Sequence, residues 1–519
     1  MAPRLPSFRG DLIRGPAVDD WAGASGPFFR PPLAVAVPAS TDDVATLVGW
    51  AVENRTPIVP RGAGSGMPGG NVGPWVVLDL TRLDRVTLPE PDHVVAGAGA
   101  IAATARAMAH DAGRDLPALP SSAPWCTLGG IAANDAAGAR SFRYGAAHAW
   151  IDAIEVVGQD GVPRRIRRGD VPPPEIFALH ASLLGQLPIP LDWPDVRKNA
   201  SGYAIDRFVE TGDPLDLWIG SEGTLGIITE VELRTIPLPT ARGVALLGVP
   251  DRELLPRWAA LASGVGATAC EWFGRRLLEL GALGSDARIA GLDTTAGVCL
   301  VEVVDEHLDV VRACLAALAA EAGDLGGVHS TTEPDRVEDF WALRHDASPR
   351  IEAHAGPNRR STQFIEDCVV PLAELPGWLD GLDAILSGHH LDAVLFGHAG
   401  DGNVHVNPLL DLSDPGWRET ARAVLEEVVD LTASVGGTLS GEHGDGRLRA
   451  PFTERIWGSS ATRAFEEIKH AFDSGGVFNP GVILPLPDQD PLEGFGDAPD
   501  FAEGNRGPAR RRSLVENTR

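Results

Sequence analysis

The sequence predicts an α+β protein made of two successive α+β domains. From about 33 to 240, short β-branched runs alternate with Ala-rich helical stretches and glycine-dense turns. From about 241 to 410 the alternation starts again, with a strand at 297–304 followed by an amphipathic helix at 306–323. A chain of 519 residues is also too long for one hydrophobic core. These observations predict two folded domains followed by a C-terminal segment.

Local patterns predict the elements of the first domain. Residues 40–55 predict a helix that Ser40 or Thr41 caps, with acidic residues in the first turn. The strands that we expect in this domain include 74–80, 92–100 and 152–158. Residues 1–32 form an N-terminal extension.

The second domain, 241–410, is predicted to be ferredoxin-like, with an antiparallel sheet covered by helices. It contains a helix at 375–388 and a strand at 391–398. Residues 411–485 predict a helical segment that returns to the first domain, and residues 486–519 predict a disordered tail. The helices expected in the C-terminal segment are 417–437 and 461–476.

Composition excludes several classes of function. A net charge of −27 argues against a nucleic-acid partner, which needs a basic surface. Five scattered cysteines without a CxxC pair argue against zinc ribbons and iron–sulfur clusters. The sequence contains no apolar run long enough for a transmembrane segment and no secretory signal. We therefore expect a cytoplasmic protein, which a partner could still bring to the membrane surface.

Four glycine- and serine-rich segments predict a long, flat ligand pressed against the main chain, as a dinucleotide would be. The first, "PRGAGSGMPGG" (60–70), is neither a GxGxxG dinucleotide motif nor a P-loop. Its glycines allow backbone N–H groups to converge on phosphate oxygens, although a tight turn explains the loop alone almost as well. The others are "SSAPWCTLGGIAANDAAG" (121–138), "KNASGYAIDRF" (198–208) and "GSEGTLGIITEVELRTIP" (220–237).

In this order the four segments resemble the FAD-binding PCMH-type domain of the vanillyl-alcohol-oxidase superfamily, which implies a domain of two subdomains. The C-terminal half resembles its D-lactate, glycolate and D-2-hydroxyglutarate dehydrogenase branch. Several relatives attach FAD through a histidine where this chain has Ser65, so we expect non-covalent FAD. The resemblance implies these FAD contacts: Arg61, Gly62, Ala63, Gly64, Ser65, Gly66, Ser122, Thr127, Gly130, Asn134, Gly223 and Ile228.

Two histidines bracket a turn in "FGHAGDGNVHVNP" (396–408). If Asp401 and Gly402 form a two-residue hairpin turn, His398 lies directly opposite His405 on the same face of the sheet. Both imidazoles can then bind one metal ion. The alternative is that two ordinary histidines line a turn.

A second glycine-flanked loop, "TLSGEHGDGR" (438–447), places Glu442 next to His443. Two histidines and one carboxylate bind a divalent ion with an open position. The resemblance implies that His398, His405 and Glu442 are the metal ligands and that His443 is the catalytic base. Zinc is the expected ion, with manganese and iron as alternatives.

The resemblance also implies a substrate site for a 2-hydroxyacid. Arg344 matches an arginine that binds the substrate carboxylate, a partner for a guanidinium. Ser348 and Asn407 match further substrate contacts. The D-2-hydroxyglutarate enzymes carry a lysine near the position of Ile365, which puts a second carboxylate anchor in doubt and favours D-lactate or glycolate. Arg350, Arg359 and Arg360 are alternative anchors between which the sequence does not choose.

We therefore predict FAD-dependent oxidation of a D-2-hydroxyacid to the 2-oxoacid, by hydride transfer to flavin N5 with His443 as base. One alternative is a non-catalytic FAD-carrying subunit of an electron-transfer complex, and another is a metal-dependent hydrolase. The electron acceptor is open between a partner protein, a quinone, a cytochrome and oxygen. The oligomeric state is open as well, a homodimer included.

Overall fold

The N-terminal half contains two sheets, as a computed structural model of the chain shows. The structure describes residues 5–186, 193–281, 286–322, 324–356 and 358–497. The strands of this half are β1 (Gly10–Ile13), β2 (Ala34–Pro38), β3 (Ile58–Arg61), β4 (Val76–Asp79), β5 (Val86–Glu90), β6 (His93–Gly97), β7 (Arg114–Asp115), β8 (Ile151–Val157), β9 (Pro163–Arg167), β10 (Ile227–Arg234) and β11 (Ile236–Pro237). Its helices are α1 (Thr41–Glu53), α2 (Ala102–Asp111), α3 (Leu128–Ala133), α4 (Ser141–Tyr144), α5 (Pro174–Gln186), α6 (Ile205–Thr211) and α7 (Leu215–Trp218).

The two sheets form the two predicted subdomains. One has the order β1-β2-β4-β3, and its β2 and β3 both run parallel to β4. The other has the order β5-β6-β10-β8-β9 and is antiparallel. The predicted cap of α1 is confirmed, because the Ser40 hydroxyl accepts a hydrogen bond from the backbone N–H of Asp43.

The second domain is built on one antiparallel sheet, as predicted. Its strands are β12 (Ala241–Val249), β13 (Ala269–Gly274), β14 (Gly297–Asp305), β15 (Val328–Thr331), β16 (Arg359–Ser361), β17 (Cys368–Val369), β18 (Ala393–His398) and β19 (Asn403–Asp411). The main path is β15-β12-β14-β13-β18-β19-β16, and β17 also pairs with β19. Its helices are α8 (Leu255–Gly264), α9 (Arg275–Leu280), α10 (Leu308–Ala322), α11 (Pro334–His345), α12 (Ala347–His354) and α13 (Leu375–Gly388).

The C-terminal segment returns to the first domain. It contains α14 (Trp417–Ser434), α15 (Gly446–Arg449) and α16 (Thr453–Phe472). The helix predicted at 461–476 begins earlier and ends earlier, and Gly458 interrupts α16 with a φ of 71°. Phe465 packs edge-on against Tyr203 of the first domain at 5.6 Å. This contact shows that α16 packs against the first domain.

The disordered tail does not begin at 486, so that part of the prediction is wrong. Phe495 is fully buried and packs edge-on against Phe28 and Phe364, with ring centroids 5.4 and 6.2 Å apart. Leu492 and Phe495 of this Pro- and Asp-rich stretch therefore close a core instead of contacting solvent. Residues 498–519 lie outside the described residues.

Glu302 links the two domains through a fully buried carboxylate. It accepts hydrogen bonds from Arg140 Nε of the first domain at 2.9 Å and from Arg242 Nε of the second at 2.6 Å. Trp341 Nε1 also donates to it at 2.9 Å. Burial would raise the pKa of Glu302, but the two arginines hold it below its usual 4.5.

Within the part of the chain that the structure describes, no helix has both the length and the apolar character that crossing a membrane requires.

Replacing Glu302 by Gln should lower the free energy of unfolding at pH 7 by about 3–5 kcal/mol, because the partly buried Arg140 and Arg242 lose a fully buried counter-charge. A carboxyl whose pKa folding lowers stabilises the fold above its unfolded pKa and loses that effect as the pH falls. The difference from wild type should therefore shrink below pH 4.5 in denaturant titrations. Glu338→Gln is the control, since Glu338 also pairs with Arg242 but is 62% exposed.

Phe495→Ala should destabilise the protein by about 3–5 kcal/mol, because it leaves a cavity among aromatic rings. Thermal and denaturant unfolding would measure the change. Leu486→Ala, in the same segment but 40% exposed, should have little effect. Equal stability of the two variants would show that residues 486–497 do not contribute to the core.

Candidate active site

The hairpin of β18 and β19 carries both predicted metal-ligand histidines, but its turn differs from the prediction. Residues 399–402 connect the strands, with a 3₁₀ turn at Ala399–Asp401 and Gly402 in the left-handed region at φ 71°. The strand pairs are His398 with Asn403 and Phe396 with His405. The predicted two-residue turn and the direct pairing of His398 with His405 are therefore wrong.

The two imidazoles nevertheless lie on the same face of the sheet, as predicted. A shift of two residues in register preserves the side of the sheet on which each side chain lies. The histidines are diagonal neighbours, and their Nε2 atoms are 3.3 Å apart. A Cβ at Gly402 would collide with the Val370 carbonyl, so the turn requires glycine at this position.

Glu442 completes a triangle with the two histidines. Its Oε1 lies 3.2 Å from His398 Nε2 and 3.3 Å from His405 Nε2. Ligand atoms at 2.0–2.1 Å from a tetrahedral zinc ion are about 3.3–3.4 Å apart. All three residues are buried. The donor atoms and their spacing thus fit a divalent ion that retains a free position.

Glu271, on β13, orients His398. Its Oε1 lies 2.6 Å from His398 Nδ1, and its Oε2 accepts from Arg344 Nε at 3.2 Å. A ring that donates Nδ1–H to a carboxylate presents the Nε2 lone pair, as a metal ligand must. Sequence analysis missed Glu271, since it lies inside an apolar strand with no local motif around it.

The predicted base, His443, is held between carboxylates. Its Nδ1 lies 2.6 Å from Glu366 Oε2, and its Nε2 lies 3.3 Å from Glu442 Oε1. Burial would lower the pKa of His443, but Asp367 and Glu366 raise it well above 6.5. No motif in the sequence marks Glu366 as the partner of His443.

The three predicted substrate residues have different surroundings in the structure. Arg344 donates Nε to Glu271 and its guanidinium lies 4.7 Å from the ring centre of Phe396, beside the triangle. Asn407 is buried, and its amide bonds to Ser361, Gln363 and the carbonyls of Val394 and His405. Ser348 is exposed on α12. Arg344 therefore bonds to the carboxylate that orients His398, and Asn407 bonds to the backbone of His405.

The glycine-rich segments that were predicted to bind FAD converge. A side chain at Gly62 would collide with Thr127, and one at Gly223 would collide with Pro60. Thr127 caps α3 by accepting from the backbone N–H of Gly130. Asn134 donates to the His443 carbonyl at 2.8 Å, which joins these segments to the base.

The remaining predicted FAD residues have mixed environments. Arg61 is buried and donates to the carbonyls of Asn71 and Gly23, so its guanidinium shapes the first loop. Gly64 has a φ of 76° and lies against that guanidinium. Ile228 is buried in β10 opposite Val156. The first loop also contains Ala63, Ser65 and Gly66, and the second segment contains Ser122.

Residues 32–167 match the family described as FAD binding domain, and residues 238–483 match the family described as FAD linked oxidases, C-terminal domain. The chain belongs to the FAD-binding PCMH-type flavoproteins. It is therefore an FAD-linked oxidoreductase, and the resemblance found in the sequence is confirmed.

Curated relatives of this family member align along most of its length. The glycolate oxidase subunit GlcD of Bacillus subtilis is 26% identical, over 87% of this chain and 89% of its own. The D-2-hydroxyglutarate dehydrogenase of Xanthomonas citri is 29% identical, over 87% of this chain and 89% of its own. The D-lactate dehydrogenase of Anaerostipes hadrus is 27% identical, over 86% and 88%.

Solved structures share the fold of this flavoprotein. p-Cresol methylhydroxylase has a TM-score of 0.66 at 14% identity and covers 92% of this chain and 95% of its own. The 4-ethylphenol oxidase of Gulosibacter chungangensis has a TM-score of 0.64 at 17% identity and covers 92% and 94%. The predicted α+β class with a two-subdomain FAD-binding unit is confirmed.

Glu271→Gln should weaken binding of a divalent ion by about 10–100-fold, because His398 loses the carboxylate that orients it. Competition with a chromophoric chelator measures the affinity. Glu279→Gln is the control, since Glu279 forms a half-exposed pair with Arg275 at 3.0 Å. Equal metal affinity of wild type and Glu271→Gln would contradict the assigned role.

Proposed function

We propose that this flavoprotein oxidises a D-2-hydroxyacid, of the class of D-lactate, glycolate and D-2-hydroxyglutarate, to the 2-oxoacid. One observation carries the proposal. Glu442 Oε1 lies within 3.3 Å of three imidazole nitrogens, those of His398, His405 and His443. A three-atom metal site therefore stands directly beside a histidine placed to move a proton. The names of the curated relatives support the same substrate class.

His443 is the proposed base. With Nδ1–H donated to Glu366, its Nε2 is the atom that takes the hydroxyl proton of the substrate. Bound FAD would supply the hydride acceptor, and a divalent ion held by His398, His405 and Glu442 would lower the pKa of the substrate hydroxyl. Asp367 and Glu366 raise the pKa of His443. A cation bound by His398, His405 and Glu442 would lower this pKa, which favours the neutral imidazole when the ion is present.

Arg344 is the proposed partner of the substrate carboxylate. Among the described residues its guanidinium is bonded through Nε to Glu271, which leaves the opposite edge for an anion. Glu271 therefore couples the arginine to the metal-binding His398. Ser348 and Asn407 stay further predicted contacts, although the bonds of Asn407 favour a structural role.

The surroundings of Ile365 favour a small substrate. Ile365 stands near the place where the D-2-hydroxyglutarate enzymes were expected to carry a lysine, and it is 2% exposed in the core. It offers no charge to a second carboxylate. We therefore propose a monocarboxylate such as D-lactate or glycolate ahead of D-2-hydroxyglutarate.

FAD is proposed to bind without a covalent link, because Ser65 cannot form the histidyl bond. The proposed ion is zinc, with manganese or iron as alternatives. Electrons are proposed to leave to a partner protein, a quinone or a cytochrome. A cytoplasmic location, with contact to the membrane only through the acceptor, remains part of this proposal.

The proposal is tested by anaerobic reduction of the bound flavin. At least one of D-lactate, glycolate and D-2-hydroxyglutarate should bleach the flavin band at about 450 nm, and a chelator should abolish the reduction. His443→Gln should slow reduction by about 10²–10⁴-fold, because the hydroxyl proton loses its acceptor. His389→Gln is the control, since His389 forms a surface pair with Glu427 at 2.8 Å.

Three outcomes would contradict the proposal. A flavin that none of the three acids reduces would exclude the substrate class. Unchanged flavin reduction in His443→Gln would exclude His443 as the base. Unchanged turnover of a larger complex that contains this variant would favour a non-catalytic FAD-carrying subunit.

A further inference from the structure

Lys198 is a buried cation that the proposed mechanism does not use. It belongs to the glycine- and serine-rich segment 198–208, and the sequence contains only one other lysine, Lys469. Its side chain is 2% exposed, and its Nζ lies 3.0 Å from Glu442 Oε2. A buried lysine requires a partner, and Glu442 supplies it.

The backbone around Lys198 fixes this contact. The N–H of Ala200 donates to the Ser440 carbonyl at 2.9 Å, which holds the two loops together. A Cβ on Gly441 would lie 3.2 Å from Lys198 Cε and 2.8 Å from Asn403 Nδ2. The close approach of the lysine therefore depends on a glycine beside Glu442.

The two oxygens of Glu442 have separate partners. Oε1 faces the imidazoles of His398, His405 and His443. Oε2 faces Lys198 and accepts its hydrogen bond. A carboxylate held in this way offers one oxygen to an ion, whereas a free carboxylate can bind an ion through both.

We propose that Lys198 is a positioning residue that restricts Glu442 to one ligand oxygen and so keeps a coordination position open for the substrate. This inference rests on the proposed function, because it concerns the same metal site.

The charges around the site predict the direction of the effect. The carboxylates of Glu271 and Glu442 are balanced by Arg344 and Lys198. Glu366 and Asp367 beside His443 are paired with Arg449, so a divalent ion brings the site to a net charge of about plus one, which attracts an anionic hydroxyacid. Without Lys198 this net charge falls to about zero, so the site should hold the ion more tightly and the anion more weakly. A purely structural role would weaken both.

The test compares Lys198→Met with wild type and with Lys198→Arg, which keeps the charge. Each holoenzyme is loaded with zinc or manganese, and its flavin content is checked. Release of the ion to excess chelator is timed, and KM and kcat are measured with the acid that reduces the wild type best. Lys198→Met should release the ion at least about threefold more slowly and raise KM about tenfold, with a smaller change in kcat. Lys198→Arg should stay within about twofold of wild type for release.

Faster or unchanged release from Lys198→Met would overturn the inference, and so would an unchanged KM. A second measurement needs no variant: in a metal-loaded wild-type crystal, Oε1 alone should coordinate, with Oε2 still bonded to Lys198. Coordination through both oxygens would overturn the inference even if Lys198→Met failed to fold.

The two proposals fail in distinguishable ways. A wild-type protein that holds no metal overturns this inference together with the metal part of the proposed function. A wild-type protein that holds metal and is reduced by a hydroxyacid, while Lys198→Met matches it in release and KM, overturns this inference alone.

Discussion

The Glu442 carboxylate is the point on which the rest of the site depends. It contacts two histidines of a second-domain hairpin, its own neighbour His443 and Lys198 of the first domain. Asp367 shapes the loop that carries it, because its Oδ2 accepts from Ser440 Oγ and from the His443 N–H, both at 2.8 Å. Asp367 has a φ of 79°, a strained value for a residue other than glycine, which persists where the surrounding bonds over-determine it.

The same arrangement requires that the two domains keep a fixed relative position. Asp401, in the turn between the two histidine strands, accepts hydrogen bonds from Ser141 Oγ at 2.8 Å and from Arg197 Nε at 3.2 Å. Glu302 and Arg140 form a second buried link. Because both links join the first domain to the second, they hold the hairpin against the glycine-rich segments. Such bonds fix the relative position of the two domains as well as stabilising the fold. This position matters because a displacement of about 1 Å in an active site lowers the rate of catalysis.

Sequence analysis grouped His398, His405 and Glu442, which the structure also brings together, but it gave the hairpin the wrong geometry. It identified His398, His405 and Glu442 because histidine and carboxylate types and a family resemblance mark them. It placed the turn at 401–402, whereas contacts of Asp401 and Gly402 with other segments select a four-residue turn. The prediction that His398 and His405 lie on the same face of the sheet is still right, because side chains alternate between the faces with a period of two.

What the sequence by itself determined was the α+β class, the flavoprotein family, the cap of α1 and the residue types that can bind a metal. These depend on local patterns and on ordered motifs. The tertiary structure alone decided that Glu271, Glu366 and Lys198 support the site and that Phe495 closes a core. Each of these residues meets partners far away in the chain. A local pattern carries no information about such contacts, because packing brings the residues together only when the whole chain folds.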